Sequence, residues 1–148
     1  MISPEVLRRY PYFAGVSEES LKQVAMMTEE RSYPAGHVLF QEGDPATHMS
    51  IIQSGEVSIQ YLLGSGELRT VDTLVGGDIL GWSALVEPYR MTALASASQS
   101  THLIRIEAMR LRDLCEKDPR LGYQLLMQVA KLLGNRLDGA RVQLAVVG

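Results

Sequence analysis

The stretch GGDILGWSALVEPYRMTALA, from Gly76 to Ala95, is where this 148-residue chain concentrates its chemistry. It is opened by glycines, carries the chain's one tryptophan, Trp82, and holds a lone cation, Arg90. Glycines let a backbone approach a ligand closely. An arginine offers a planar fork of donors suited to phosphate oxygens. The stretch therefore has the means to hold a phosphate or another small anion. Arg90 has a plainer reading as well, a surface pair with Glu87 or a stack on Tyr89, and surface pairs contribute little.

Other chemistry is thinly spread. His37, His48 and His102 are far apart and form no HxH pair, so no metal site is expected. Cys115 is the only cysteine, which excludes an intramolecular disulfide and a cysteine-based zinc site. In LRDLCEK it reads as a small apolar filler. There is no nucleophile elbow, Walker loop or GxGxxG, so neither an enzyme nor a cofactor is expected. Hydrophobic residues make up 46%, charged residues 21%, and the net charge is −3, an ordinary globular balance without the basic excess of a nucleic-acid binder. Arg105, Arg110, Arg112, Lys117 and Arg120 alternate with Glu107, Asp113, Glu116 and Asp118, and read as a solvated face. MISPEVLRRYPYF contains no secretory signal, and no run approaches the roughly 18 apolar residues of a membrane helix. A cytoplasmic protein is expected.

The elements that must position Gly76–Ala95 fall into three zones of one domain spanning 1–148. Residues 1–30 are a helical lead-in: Ser3 caps a helix with Pro4 at its first position, and Ser17 caps SEESLKQVAMM. Residues 31–106 alternate in short runs broken by glycines. Val57, Ile59 and Tyr61 share one face, and Gly64-Ser65-Gly66 marks a hairpin. About eight such strands imply a mainly β fold with flanking helices, a double-stranded β-helix or jelly roll. Ala93, Ala95 and Ala97 on one face either leave room for a ligand or let two sheets approach closely. Residues 107–148 are helical: EAMRLRDLCEKDP stops at Asp118-Pro119, and a long helix starts near Arg120. In that helix Leu126, Ala130, Leu133, Leu137, Ala140 and Leu144 recur at heptad spacing, and Leu125, Val129 and Leu132 form a second line. The second line fits the barrel. The first suits a symmetry mate, so a homodimer is expected, with burial of both lines inside one chain as the alternative.

This order of elements resembles the cyclic-nucleotide-binding domain family, which includes the sensory halves of CRP/FNR-type transcription regulators. The matching pieces, from about Phe13 to Leu144, are FAGVSEESL, Pro34-Ala35-Gly36 before VLFQEGD, IIQSGEV, GGDILG, Arg90 before a small-residue strand, and RLDGARVQL. The resemblance implies a regulatory, non-enzymatic domain whose phosphate-binding cassette spans residues 76–95, with candidate ligand contacts at Gly81, Trp82, Ser83, Ala84, Arg90, Met91 and Thr92. It implies that a short helix after Gly81 turns its free N–H groups to a cyclic phosphate and that Arg90 binds the phosphate oxygens. In nucleotide-binding members, a glutamate after the second glycine accepts the ribose 2′-OH. Trp82 stands there in this chain, and an indole accepts no hydrogen bond. Leaving that hydroxyl buried and unpaired costs about 1–3 kcal/mol. The position after Arg90, small or hydroxylated in some members, is Met91. The cassette is thus degenerate in its sugar half. Trp82 then fills the ribose pocket and leaves a ligand-free dimeric interaction module, or walls a site for a different small anion, or points into the core and leaves the site to bind a nucleotide weakly. The regulators of this family continue into a winged helix-turn-helix. These 148 residues hold no recognition helix, so direct DNA binding is not expected.

Overall fold

The computed structural model describes residues 1–147, and the side chains at 143, 144, 146 and 147 lie outside that description. Leu144, the last of the expected seam residues, falls there. At the N-terminus both serine caps form. Ser3 Oγ accepts the Val6 N–H at 3.4 Å and opens helix α1 (Pro4–Arg8). Ser17 Oγ accepts the Ser20 N–H at 3.2 Å and opens α2 (Glu18–Met26). A 3₁₀ turn, Pro11–Phe13, joins them.

The strands are β1 (Thr28–Tyr33), β2 (Val38–Phe40), β3 (His48–Ser54), β4 (Glu56–Leu62), β5 (Leu68–Val75), β6 (Ile79–Leu80), β7 (Leu94–Ala97) and β8 (Thr101–Glu107). They form two antiparallel sheets of four, β1-β8-β3-β6 and β2-β7-β4-β5, the two halves of a jelly roll. The helical layer packs its buried side chains on the first sheet, and the sequence reflects it. Met49 and Ile51 of β3 pack with Phe13, Leu21, Leu111 and Leu125 under the helices. Ile52 turns the other way, to Val57, Ile59, Leu74 and Leu103 between the sheets. Burial on both faces explains the unbroken MSII run. The second sheet is covered on one face, so β4 alternates over its first five residues, with Val57 and Ile59 buried and Glu56, Ser58 and Gln60 half-exposed; Tyr61, on the Val57–Ile59 face, lies beyond the core and is exposed. Ala93 and Ala95 join the inter-sheet core. Gly55 makes the β3–β4 turn at φ +103°, and a Cβ there would stand 2.5 Å from the Ser100 carbonyl, so only glycine fits.

Helix α3 (Ala108–Lys117) ends at Asp118 and α4 (Pro119–Val147) begins directly after it. Asp118 secures this elbow, accepting the Ser20 hydroxyl through Oδ2 at 2.5 Å and the Leu121 N–H through Oδ1 at 3.4 Å. A Cβ at Gly122 would lie 3.3 Å from the Cys115 Cβ, which shows how tightly the two helices meet. Burial, and secondarily Asp118, pushes the Cys115 thiol up to about 11, so it stays protonated as a packing group. Along α4, Leu121, Leu125 and Val129 are buried, while Leu126 is 51% and Leu137 52% exposed. Ala130 and Ala140 are also exposed. Among the described residues, no helix is long and apolar enough to cross a membrane.

Candidate functional site between the roll and the long helix

The Gly76–Ala95 stretch starts at the end of β5, where Asp78 Oδ2 accepts the Val75 N–H at 2.8 Å and closes the glycine turn. The Tyr12 hydroxyl donates to the Gly77 carbonyl, which ties the N-terminal 3₁₀ turn to this loop. Burial, with a further contribution from the Asp78 carboxylate, raises the Tyr12 phenol to about 12, so it remains a donor at neutral pH. Gly81 follows β6 at φ +85°. A Cβ there would meet the His48 carbonyl at 3.0 Å, because the turn is pressed against β3.

Residues Trp82–Leu85 form a single 3₁₀ turn, shorter and tighter than the helix the resemblance implies. Ala84 is fully buried behind it and gives its carbonyl to Arg112 Nη1 at 2.7 Å. The Arg112 guanidinium lies 3.9 Å over the Tyr89 ring. Tyr89 is held at φ +57°, a conformation that non-glycine residues adopt only under constraint. The sequence pattern places Arg112 on a solvated face. It is instead the strut by which α3 holds the loop. Arg105 departs from that reading too: its side chain is only 20% exposed, paired with Glu29.

A cavity of about 650 Å³ lies between this loop, the roll and α4, within the usual range of small-molecule sites. Gly81, Trp82 and Ser83 line one side, Ile59, Leu74 and Ala93 the roll side, and Leu133, Arg136, Leu137 and Ala140 the helix side. Met91 and Thr92 also border it. Five of the expected contact residues thus converge at the first cavity: Gly81, Trp82, Ser83, Met91 and Thr92. Ala84 sits behind it, and Arg90 is absent from its lining. Arg90 is exposed, and its Nη1 donates to the Gly43 carbonyl at 3.3 Å. The main chain beside it is held to the Gly43–Asp44 turn, since Met91 N–H donates to the Asp44 carbonyl and Gly43 N–H to the Met91 carbonyl, each at 2.8 Å. Trp82 is half-buried, forming part of the wall and packing partly on the core.

Met91 also borders a second cavity of about 290 Å³, shared with Asp44, His48 and Arg105. Burial and the Arg105 charge lower the His48 pKa, opposed in part by Glu29. His37 stacks on Tyr33 at 4.9 Å, and His102 Nδ1 pairs with Ser32 Oγ. Among the described residues, no three His, Cys, Asp or Glu side chains gather to hold a metal.

Sequence reading missed Asp72, Arg112, Arg136 and Tyr12. Arg136 Nε lies 2.6 Å from Asp72 Oδ2, a pair that joins α4 to β5. The one available signal was spacing, since Arg136 stands four residues before Ala140 on the face that carries Leu133 and Leu137.

Residues 30–118 match the family described as the cyclic nucleotide-binding domain. A crystal structure from Geobacter metallireducens assigned to cyclic nucleotide binding is 37% identical, with a TM-score of 0.82, covering 93% of this chain and 99% of that one. The catabolite activator protein of Thermus thermophilus is 26% identical at a TM-score of 0.72, covering 93% of this chain and 62% of that one. A CRP-like cAMP-activated global transcriptional regulator of Mycobacterium tuberculosis is 26% identical over 129 residues, which span 87% of this chain and 58% of the regulator.

Proposed function

The chain belongs to the cyclic nucleotide-binding domain family, and from that premise we propose that it is a non-enzymatic cytoplasmic sensor domain with a degenerate cassette. Its ligand is a small molecule other than a cyclic nucleotide held in the family's usual way. One observation carries this reading: Trp82 stands as a wall of the cavity of about 650 Å³, where the ribose acceptor would be. The place of Arg90, bonded to the Gly43 carbonyl outside the cavity lining, supports it further. The output is the α4 helix. Exposed Leu126 and Ala130 support a homodimer through the heptad line, whose later members Leu133, Leu137 and Ala140 also edge the cavity. A ligand works such a switch only if it prefers one arrangement of α4 over another.

Trp82 is the chain's sole tryptophan, so its emission reads the cavity directly. Titration with cAMP and cGMP to millimolar concentrations is expected to leave Trp82 emission and Tm unchanged, whereas apolar small molecules of fitting size are expected to alter both. Saturable cAMP binding that is lost in Arg90→Ala would overturn the degenerate-cassette reading. No response to any small molecule would favour a ligand-free dimeric interaction module.

A further inference from the structure

We propose that the anion anchor of this cavity is Arg136 of α4, and that the ligand is an amphipathic organic anion: a carboxylate, sulfonate or phosphate head on an apolar body. The inference rests on the sensor reading above and names the ligand class for that site. Arg136 is the one cation among the described residues that line the cavity. Its charge is matched but its donors are not. Asp72 Oδ2 stands 2.6 Å from Nε, yet Nε is buried and its N–H is not directed at any acceptor. Among the described residues, the two terminal nitrogens make no hydrogen bond to the protein. A guanidinium carries five N–H donors in one plane, so Arg136 keeps a fork free for an oxyanion.

The acidic groups nearby are already engaged. Asp72 Oδ1 accepts the Thr73 N–H at 2.9 Å, and Asp78 Oδ2 accepts the Val75 N–H at 2.8 Å. Both carboxylates are acceptors only and repel an anion, and Asp72 competes with it for Arg136, so the head must be held by the guanidinium alone. The rest of the wall suits an apolar body: Trp82, Ile59, Leu74, Leu133 and Leu137. An oxyanion entering here exchanges the side-on contact with Asp72 for a two-point contact with Arg136, which draws on a residue of the output helix itself.

Two dyes of nearly the same body separate the head from the rest: 8-anilinonaphthalene-1-sulfonate, and neutral N-phenyl-1-naphthylamine. Binding of each is read by energy transfer from Trp82. Arg136→Gln is expected to weaken the sulfonate dye by at least about tenfold and to change the neutral dye by less than about twofold. Asp72→Asn, which frees the guanidinium, is expected to tighten the sulfonate dye alone. Equal loss of both dyes in Arg136→Gln, or loss of neither, overturns the proposal. A Tm and circular dichroism spectrum matching the unsubstituted protein show independently that the variant is folded, and Asp72→Asn tests the same guanidinium without removing it. If neither dye quenches Trp82 in the unsubstituted protein, the sensor reading itself fails, and the inference with it.

Discussion

At the residue scale, Trp82 and Arg90 carry the proposed difference between this chain and the nucleotide-binding members of its family. Restoring the acceptor with Trp82→Glu is expected to give no measurable cAMP affinity by calorimetry. The glutamate would meet the ribose, but Arg90 would still be bonded to the Gly43 carbonyl outside the cavity. A gain in cAMP affinity would show that Arg90 swings inward when a phosphate is present. His48 gives a pH signature. Its folded pKa lies below the ordinary value of about 6.5, chiefly through burial, so the unfolded chain takes up a proton first as pH falls. The stability it contributes is present above about pH 6.5 and is lost as pH falls toward the folded pKa. Tm is therefore expected to drop on acidification from about pH 6.5 to pH 5, and His48→Gln to remove part of that drop.

At the element scale, the Trp82–Leu85 turn is too short to hold its own shape and depends on its supports. Arg112 from α3 is the main one, through the Ala84 carbonyl and the Tyr89 ring. Arg112→Ala is expected to destabilise the fold by about 2 kcal/mol in urea unfolding, with a red shift of Trp82 emission as the loop loosens. Elements governed by local rules were legible in the sequence: the serine caps, the alternation of β4, the Asp118-Pro119 break and the two lines of α4. β1 was not legible, because TEERSY has no apolar alternation and becomes a strand only by pairing with β8. β6 has two residues and leaves no period to read. The glycine-opened loop could be placed from its own residues. Its supports could not, because Arg112 and Tyr12 meet it across long separations that leave no local pattern, and the Asp72–Arg136 pair beside the cavity is non-local in the same way.

At the scale of the whole molecule, α4 is packed along Leu121, Leu125 and Val129 and open along Leu126, Ala130 and Leu137. Leu126→Lys is expected to shift the proposed dimer to monomer in sedimentation, with little change in monomer stability, since Leu126 is 51% exposed. A dimer that survives this substitution would place the seam elsewhere. Leu133, Leu137 and Ala140 belong both to the cavity wall and to the heptad line. In the proposed sensor dimer a ligand and a second chain would therefore touch the same three residues, and whatever factor one changes in the other's affinity is reciprocal. The ligand's apparent affinity then has no single value: titrated at nanomolar protein it describes the monomer, at high micromolar protein the pair, and the gap between the two curves measures the switch.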